Sequence, residues 1–486
     1  MISKQNEMVL SPYMALYDLI IPKDNVLRQI NELVDFTFIL DELQSKYCLD
    51  NGRNAIPPIR MFKYLLLKSF YDLSDVDLVE RSKFDMSFKY FLDMAPEDPV
   101  IDPSSLTKFR RLRLEDINLL DLLIQKTVQI AIEQGVMKSK IVIVDSTHTR
   151  SRYQPKSPNE YLQEKSKLLR KSAYQLDEKM VGKFPEKPAT NDLEDELTYC
   201  QEVLETVEAN PQLSGLPAII EKVNVLKETM DDIEHQRSYS TDSDAKIGYK
   251  SAENSFFGYK THLAMSDERI ITAAVITTGD KSDTHYLQEL VQKSKATGME
   301  IETVIGDTAY SSKNNIKFVN EEGLELVSKL HPIITHGHSK KEGFVFNKDA
   351  GLYTCPAGHL ATNKRVLRRA SNTNRNDRMK YFFDIKKCQV CPLKENCYKE
   401  GARVKTYTVA IKSNEHLQQE AFQGTAKFKN LAKLRYKIEA KNNELKNRHG
   451  LKKSKSAGLL SMHLQGATAI FVVNLKRILK LLNEND

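Results

Sequence analysis

The sequence predicts a mixed α/β protein. A mixed sheet is covered by helices, follows an all-α N-terminal region and is interrupted by a helical insertion. Three observations point there. The apolar period changes from helical to strand-like at Ile141. From that point the order runs strand, hairpin, helix, strand, helix, strand. Between about residues 155 and 240 the strand pattern disappears, and apolar residues step by threes and fours.

In the N-terminal region, Ile59, Phe62, Leu65, Leu66 and Phe70 recur near helical spacing behind Pro57-Pro58, a helix start. Ile117, Leu120, Leu123, Ile124 and Val128 repeat the pattern. Ile141-Val142-Ile143-Val144 then reads as a buried strand ending at Asp145. In the insertion, the runs Leu193–Val207 and Ile219–Ile233, separated by Asn210-Pro211, predict a helical hairpin with Cys200 in its apolar seam. The acids of Thr241–Ala245 suit a turn leading back into the sheet. Phe257–Met265 and Arg269–Thr277, joined by Ser266-Asp267-Glu268, predict a strand hairpin. A helix over about 284–296, a strand over 301–306 ending at Asp307, a helix near 312–321 and a strand over 324–330 follow. Residues 338–400 form a second insertion, rich in Lys, Arg and Cys. Beyond it, Leu431, Leu434, Ile438 and Leu445 share one helix face and Gly450 ends that helix. A last amphipathic helix covers about 458–482.

At 486 residues the chain exceeds the roughly 100–200 residues of one domain. The expected division is 1–140, a helical N-terminal domain; 141–335 with 420–486, the sheet-bearing core; 155–240, a helical insertion within it; and 338–400, the cysteine-bearing insertion. Apolar content of 41% and charged content of 28% describe a globular chain, not a disordered one. The net charge of +7 is small but clustered, at Lys108–Arg113, at Arg365, Arg368, Arg369, Arg375 and Arg378, and at Lys446–Lys455. Such clusters suit a nucleic-acid backbone. The N-terminus shows no cleavable signal, and the apolar stretch Gly466–Leu475 is too short to span a bilayer, so the expected location is cytoplasmic with no membrane partner.

Asp145, Asp307 and Glu439 suit a carboxylate triad that holds two Mg²⁺ (or Mn²⁺) ions over a phosphodiester. Arg435, Glu439 and Lys446, spaced by four and seven, lie along one helix face, away from the apolar stripe. Glu444 competes as the third acid. Lys260 and His262 share one face of their strand. The bland alternatives are strand-capping aspartates and a surface ion pair between Arg435 and Glu439.

The segments Val144–Ser151 (VDSTHTRS), Gly258–Asp267 (GYKTHLAMSD), Val304–Ser312 (VIGDTAYSS) and Arg435–Leu451 (RYKIEAKNNELKNRHGL) resemble bacterial insertion-sequence transposases of the DDE type, in order over residues 55–475. The resemblance implies a ribonuclease H-like core whose sheet carries Asp145 and Asp307 and whose late helix carries Glu439. It implies that Arg435 and Lys446 contact terminal phosphates and that Lys108, Arg110, Arg111 and Arg113 touch DNA; for Lys260 and His262 it offers the DNA groove, with a structural role as the alternative. It also implies terminal inverted repeats and target DNA as partners, and a homodimer on DNA. The family's helix pattern begins with a tyrosine where this chain has Ala432, and the chain has no tryptophan to stack a flipped base. A nuclease without joining activity and a non-catalytic DNA-binding regulator are the alternatives.

Cys388 and Cys391 form Cys-x-x-Cys, with Cys397 after and Cys355 before them in Thr354–His359. Four thiolates on turn-rich loops suit tetrahedral Zn²⁺, with His359 able to replace one. Free thiols and an iron–sulfur cluster are the other readings. Cys48 reads as an ordinary buried residue.

Overall fold

The computed structural model describes the chain except for residues 1–10, 48–54, 154–156, 191, 235–241, 251–253, 332–333, 335–342, 369–375, 396 and 486. Cys48, Thr241, Arg369 and Arg375 therefore lie outside the described residues.

The main sheet contains β1 (Ile141–Arg150), β2 (Lys246–Tyr249), β3 (Ser255–Ser266), β4 (Ile271–Thr278), β5 (Thr303–Ile305) and β6 (Glu325–Val327). β3 runs antiparallel to β1, β2 and β4. β1 and β5 are parallel, as are β5 and β6. The sheet is thus mixed, as expected. β1 is longer than the apolar run that announces it. Beyond Asp145 its inward residues are Thr147 and Thr149, both buried, and pairing with β3 continues to Arg150. β-branched threonines sustain the strand where the apolar signal stops.

The two faces of the sheet differ. Val142, Val144 and Val304 pack under the Leu287–Ala296 and Lys313–Glu321 helices. Ile143 and Ile305 face the other way, into a core shared with the N-terminal helices and the last helix, Leu459–Asn485. That last helix is buried nearly all round between Ala467 and Leu475, because it lies between the sheet and the Pro58–Tyr71 and Leu119–Glu133 helices. Phe471 meets Phe38 and Phe62 with ring centroids 6.4 and 6.2 Å apart. An all-round apolar segment is what such a sandwiched helix requires. Among the described residues no helix is long and apolar enough to cross a membrane.

Among its described residues the helical insertion holds three long helices, not two. Pro158–Leu176, opened by a Ser157/Glu160 capping box, packs against both Leu193–Glu208 and Pro217–Glu234. Its inward residues Leu162, Ser166, Leu169 and Ala173 include two small ones, so its apolar stripe is weak in sequence. Cys200 sits in this core, where burial pushes its thiol up to about 12.

The second insertion is built from strands. β7 (Val345–Asn347) pairs with β8 (Leu352–Thr354). β9 (Asn363–Leu367), β10 (Arg378–Phe383) and β11 (Lys405–Ala410) form a three-stranded antiparallel sheet that runs past residue 400.

The polar side chain at Asn474, inside the last helix, is fully buried and bonds to both the N–H and the C=O of Ile271, each at 2.8 Å, and to Thr127 at 2.9 Å. It splices the helix to the start of β4. Asn474→Leu strands buried backbone groups and should cost about 3 kcal/mol. Urea unfolding checks this; an unchanged midpoint would show that the splice contributes nothing.

Candidate active site

Strand geometry builds the site. Ile143 and Ile305 are direct partners in the parallel β1–β5 ladder and share a face. Two residues further along each chain come Asp145 and Asp307. Side chains repeat every second residue, and neighbouring strands lie about 4.8 Å apart, so both carboxylates emerge together on that face. Gly306 makes the turn after β5 possible. A Cβ there would stand 2.7 Å from the Tyr310 ring and 3.0 Å from Val144. Asp307 then caps the short turn after it, accepting the Ala309 N–H at 2.9 Å.

The Tyr436–Arg448 helix lies against β1. Ile438 and Leu445 bury its apolar side. Glu439 faces a cleft of about 280 Å³ that Asp307, Arg435, Lys329 and Tyr436 also line. Its carboxylate is paired with Arg435 at 2.9 Å, and its side chain is 57% exposed. One turn on, Asn442 donates to Asp145 Oδ2 at 2.9 Å. Lys446 Nζ lies 3.3 Å from His148 Nδ1. The helix thus runs alongside β1, addressing Asp145 with Asn442 and His148 with Lys446.

The electrostatics follow from burial. Burial raises the Asp145 carboxyl to about 6; the Ser146 N–H and Arg435 oppose the shift, while Asp307 and Asp283 add to it. Asp307 is also raised, chiefly by burial. The His148 imidazole is pushed down to about 4 by burial and by Lys446, Lys250, Arg150 and Lys260. Burial and Lys250 lower Lys446 to about 8. A neutral histidine ringed by cations thus lies three residues beyond Asp145 on β1, on the strand's other face.

Asp145 and Asp307 are brought together, and Glu439 shares the cleft with Asp307 while it is held by Arg435. Among the described residues no three carboxylate, imidazole or thiol side chains are grouped as a metal site. The donors that do converge are all oxygens, and Asn442 leaves its Oδ1 buried and unpartnered beside Asp145. That set fits a hard divalent cation. Glu444 is turned elsewhere, paired with Lys441 at 2.8 Å. Ala432 lines the cleft, and Tyr436, one turn later, stands exposed beside it.

Several proposed DNA contacts have other partners. Lys260 bonds to Asp283 at 3.1 Å and to the Lys281 carbonyl at 2.8 Å. Its register partner is His148, which puts it on the alternate face from Asp145. His262 is buried, stacked on Tyr286 and bonded to Thr277. Arg110 forms a two-point pair with Asp75. Arg113 donates to the Lys46 carbonyl and covers the Tyr47 ring at 4.4 Å. Lys108 and Arg111 are exposed.

Two residues of the site were missed in the sequence. Asn442 is marked only by its spacing of three from Glu439. Asp283, a further acid that raises both aspartates, carries no motif.

These features define a protein with the carboxylate architecture of DNA-processing enzymes. A family model described as Transposase DDE domain matches residues 228–475, and one described as Transposase domain (DUF772) matches residues 15–112. The chain belongs to the DDE transposase family, with its ribonuclease H-like fold. Transposases act on DNA, and the DDE family works with divalent metal ions. No curated protein matches the chain.

Asn442 stabilises the ionised form of Asp145, so Asn442→Ala should raise the Asp145 pKa further, by about one unit. Carboxyl NMR titration of the metal-free protein reads this directly. An unmoved titration would remove Asn442 from the site.

Proposed function

We propose that this chain is the transposase of a bacterial insertion sequence, which cuts DNA at the ends of its element and joins the freed 3′-hydroxyl to target DNA. One observation carries the reading: Asp145 and Asp307 emerge side by side from parallel strands, beside the helix that bears Glu439. The three carboxylates would hold two Mg²⁺ or Mn²⁺ ions, which activate the attacking oxygen and neutralise the leaving one.

The protein's own groups do the rest. Asn442 fixes the orientation of Asp145. Arg435 and Lys446 bind phosphates flanking the scissile bond. Glu439 must leave Arg435 to join the aspartates, and an incoming phosphate offers Arg435 a competing anion. His148, kept neutral by burial and by its cationic neighbours, accepts or donates a hydrogen bond without adding charge. In the N-terminal region, Lys108 and Arg111 touch the phosphates of the terminal inverted repeats; Arg110 and Arg113 brace the helices behind them. Phosphate contacts of this kind position the DNA without reading its sequence. Two copies acting in the cytoplasm would pair the element's ends.

Incubating the protein with labelled element-end DNA and Mg²⁺ or Mn²⁺ should give nicks at the end and, with target DNA present, joined products. Asp145→Ala should leave DNA binding intact and lower cleavage more than about a hundredfold. Wild-type-like cleavage by Asp145→Ala would sink the assignment. Cuts that never yield joined products would leave a nuclease, and binding without cuts a regulator.

Protons compete with metal for Asp145. Its raised pKa means that it is ionised above about 6 and neutral below. Bound metal keeps Asp145 ionised to lower pH, so at limiting Mg²⁺ cleavage should fall as pH drops below about 6, and added Mn²⁺ should shift the fall lower still. A flat profile between pH 5 and 8 would contradict this.

A further inference from the structure

We propose that Cys355, Cys388, Cys391 and Cys397 form a structural zinc centre that holds the strand-built insertion together. The proposal stands apart from the catalytic reading and uses none of its residues.

The four cysteines come from three separate places in the chain: the loop after β8, the end of the short Ile385–Gln389 helix, and the loop before β11. All four line one cavity, with His359 beside them. None is in a disulfide. The local backbone is shaped for ligation. Gly358, at φ +82°, turns the chain so that its N–H meets the Cys355 carbonyl at 2.8 Å, while the Cys355 N–H meets the His359 carbonyl at 2.9 Å. That closed turn presents the Cys355 side chain from a rigid loop. Cys388 and Cys391 form a second tight turn, and the Leu393 N–H points at Cys391 Sγ at 3.4 Å.

Charge and size agree. A zinc ion with four thiolates is a doubly negative centre, and Lys387, Lys394 and Lys405 line the same cavity. The space is about 60 Å³, several times the roughly 10–15 Å³ that one water needs. Among the described residues no three of these side chains stand at coordinating spacing, so ligation requires the thiol side chains to turn toward one another within the cavity they share. The unit has reason to need it. Among the described residues its core is Phe344, Tyr353, Ala361, Tyr381, Phe383 and Tyr407, with no buried Leu, Ile or Val. A core this small seldom holds alone, and a metal site supplies folding energy directly.

The full-length protein, purified without chelator, is tested by elemental analysis. About one zinc per chain is expected, reduced at least tenfold in the double variant Cys388→Ser/Cys391→Ser and unchanged in Cys200→Ala. Because the double variant could misfold, metal-stripped wild type is also titrated with Co²⁺. Thiolate-to-cobalt charge-transfer bands saturating at about one equivalent, and displaced by Zn²⁺, support the centre. Metal-free wild type that gives no such bands overturns it. Iron with acid-labile sulfide in the purified protein overturns it in favour of a cluster.

Discussion

The pairing of β1 with β5 is the constraint on which the site depends. A parallel ladder fixes the register of two strands that are far apart in sequence, and the pleat fixes which face each residue takes. Ile143 against Ile305 sets Asp145 beside Asp307. A slip of one residue in either strand would turn its acid to the other face and its isoleucine away from the core. The apolar core therefore enforces the geometry of the acids. Burial is what makes the two carboxylates unfavourable to ionise: it raises the pKa of both, and Asp307 adds to the shift at Asp145.

The third acid is secured differently. Glu439 belongs to a helix that docks through Ile438 and Leu445, so its backbone is fixed while its side chain remains mostly exposed. Rigid aspartates beside a glutamate held by a neighbouring arginine give a site with one adjustable member.

Much of this was legible in the sequence. β-branched runs announced the strands that carry the aspartates, and the spacing of Arg435, Glu439 and Lys446 announced a shared helix face. Other features were hidden for physical reasons. The far half of β1 is polar, and only pairing with β3 shows it to be strand. β9 is exposed along its whole length, so no apolar alternation marks it. The first insertion helix turns Ser166 and Ala173 inward, which blurs its stripe. The fates of Arg110 and Arg113 depend on Asp75 and Lys46, partners too distant in sequence to predict. A basic run shows that charge is present, but not whether the fold has already claimed it.

The keystone position of the Leu459–Asn485 helix has a temporal consequence. Ribosomes make it after every element it packs against. Until it emerges, the apolar underside of the sheet and the N-terminal helices lack the surface that joins them. The nascent polypeptide can form its local helices and hairpins, but the common interior closes only once that helix has been made. A product halted before residue 459 would expose that interior and attract chaperones or proteases, so quality control would discard incomplete copies before they could reach a chromosome.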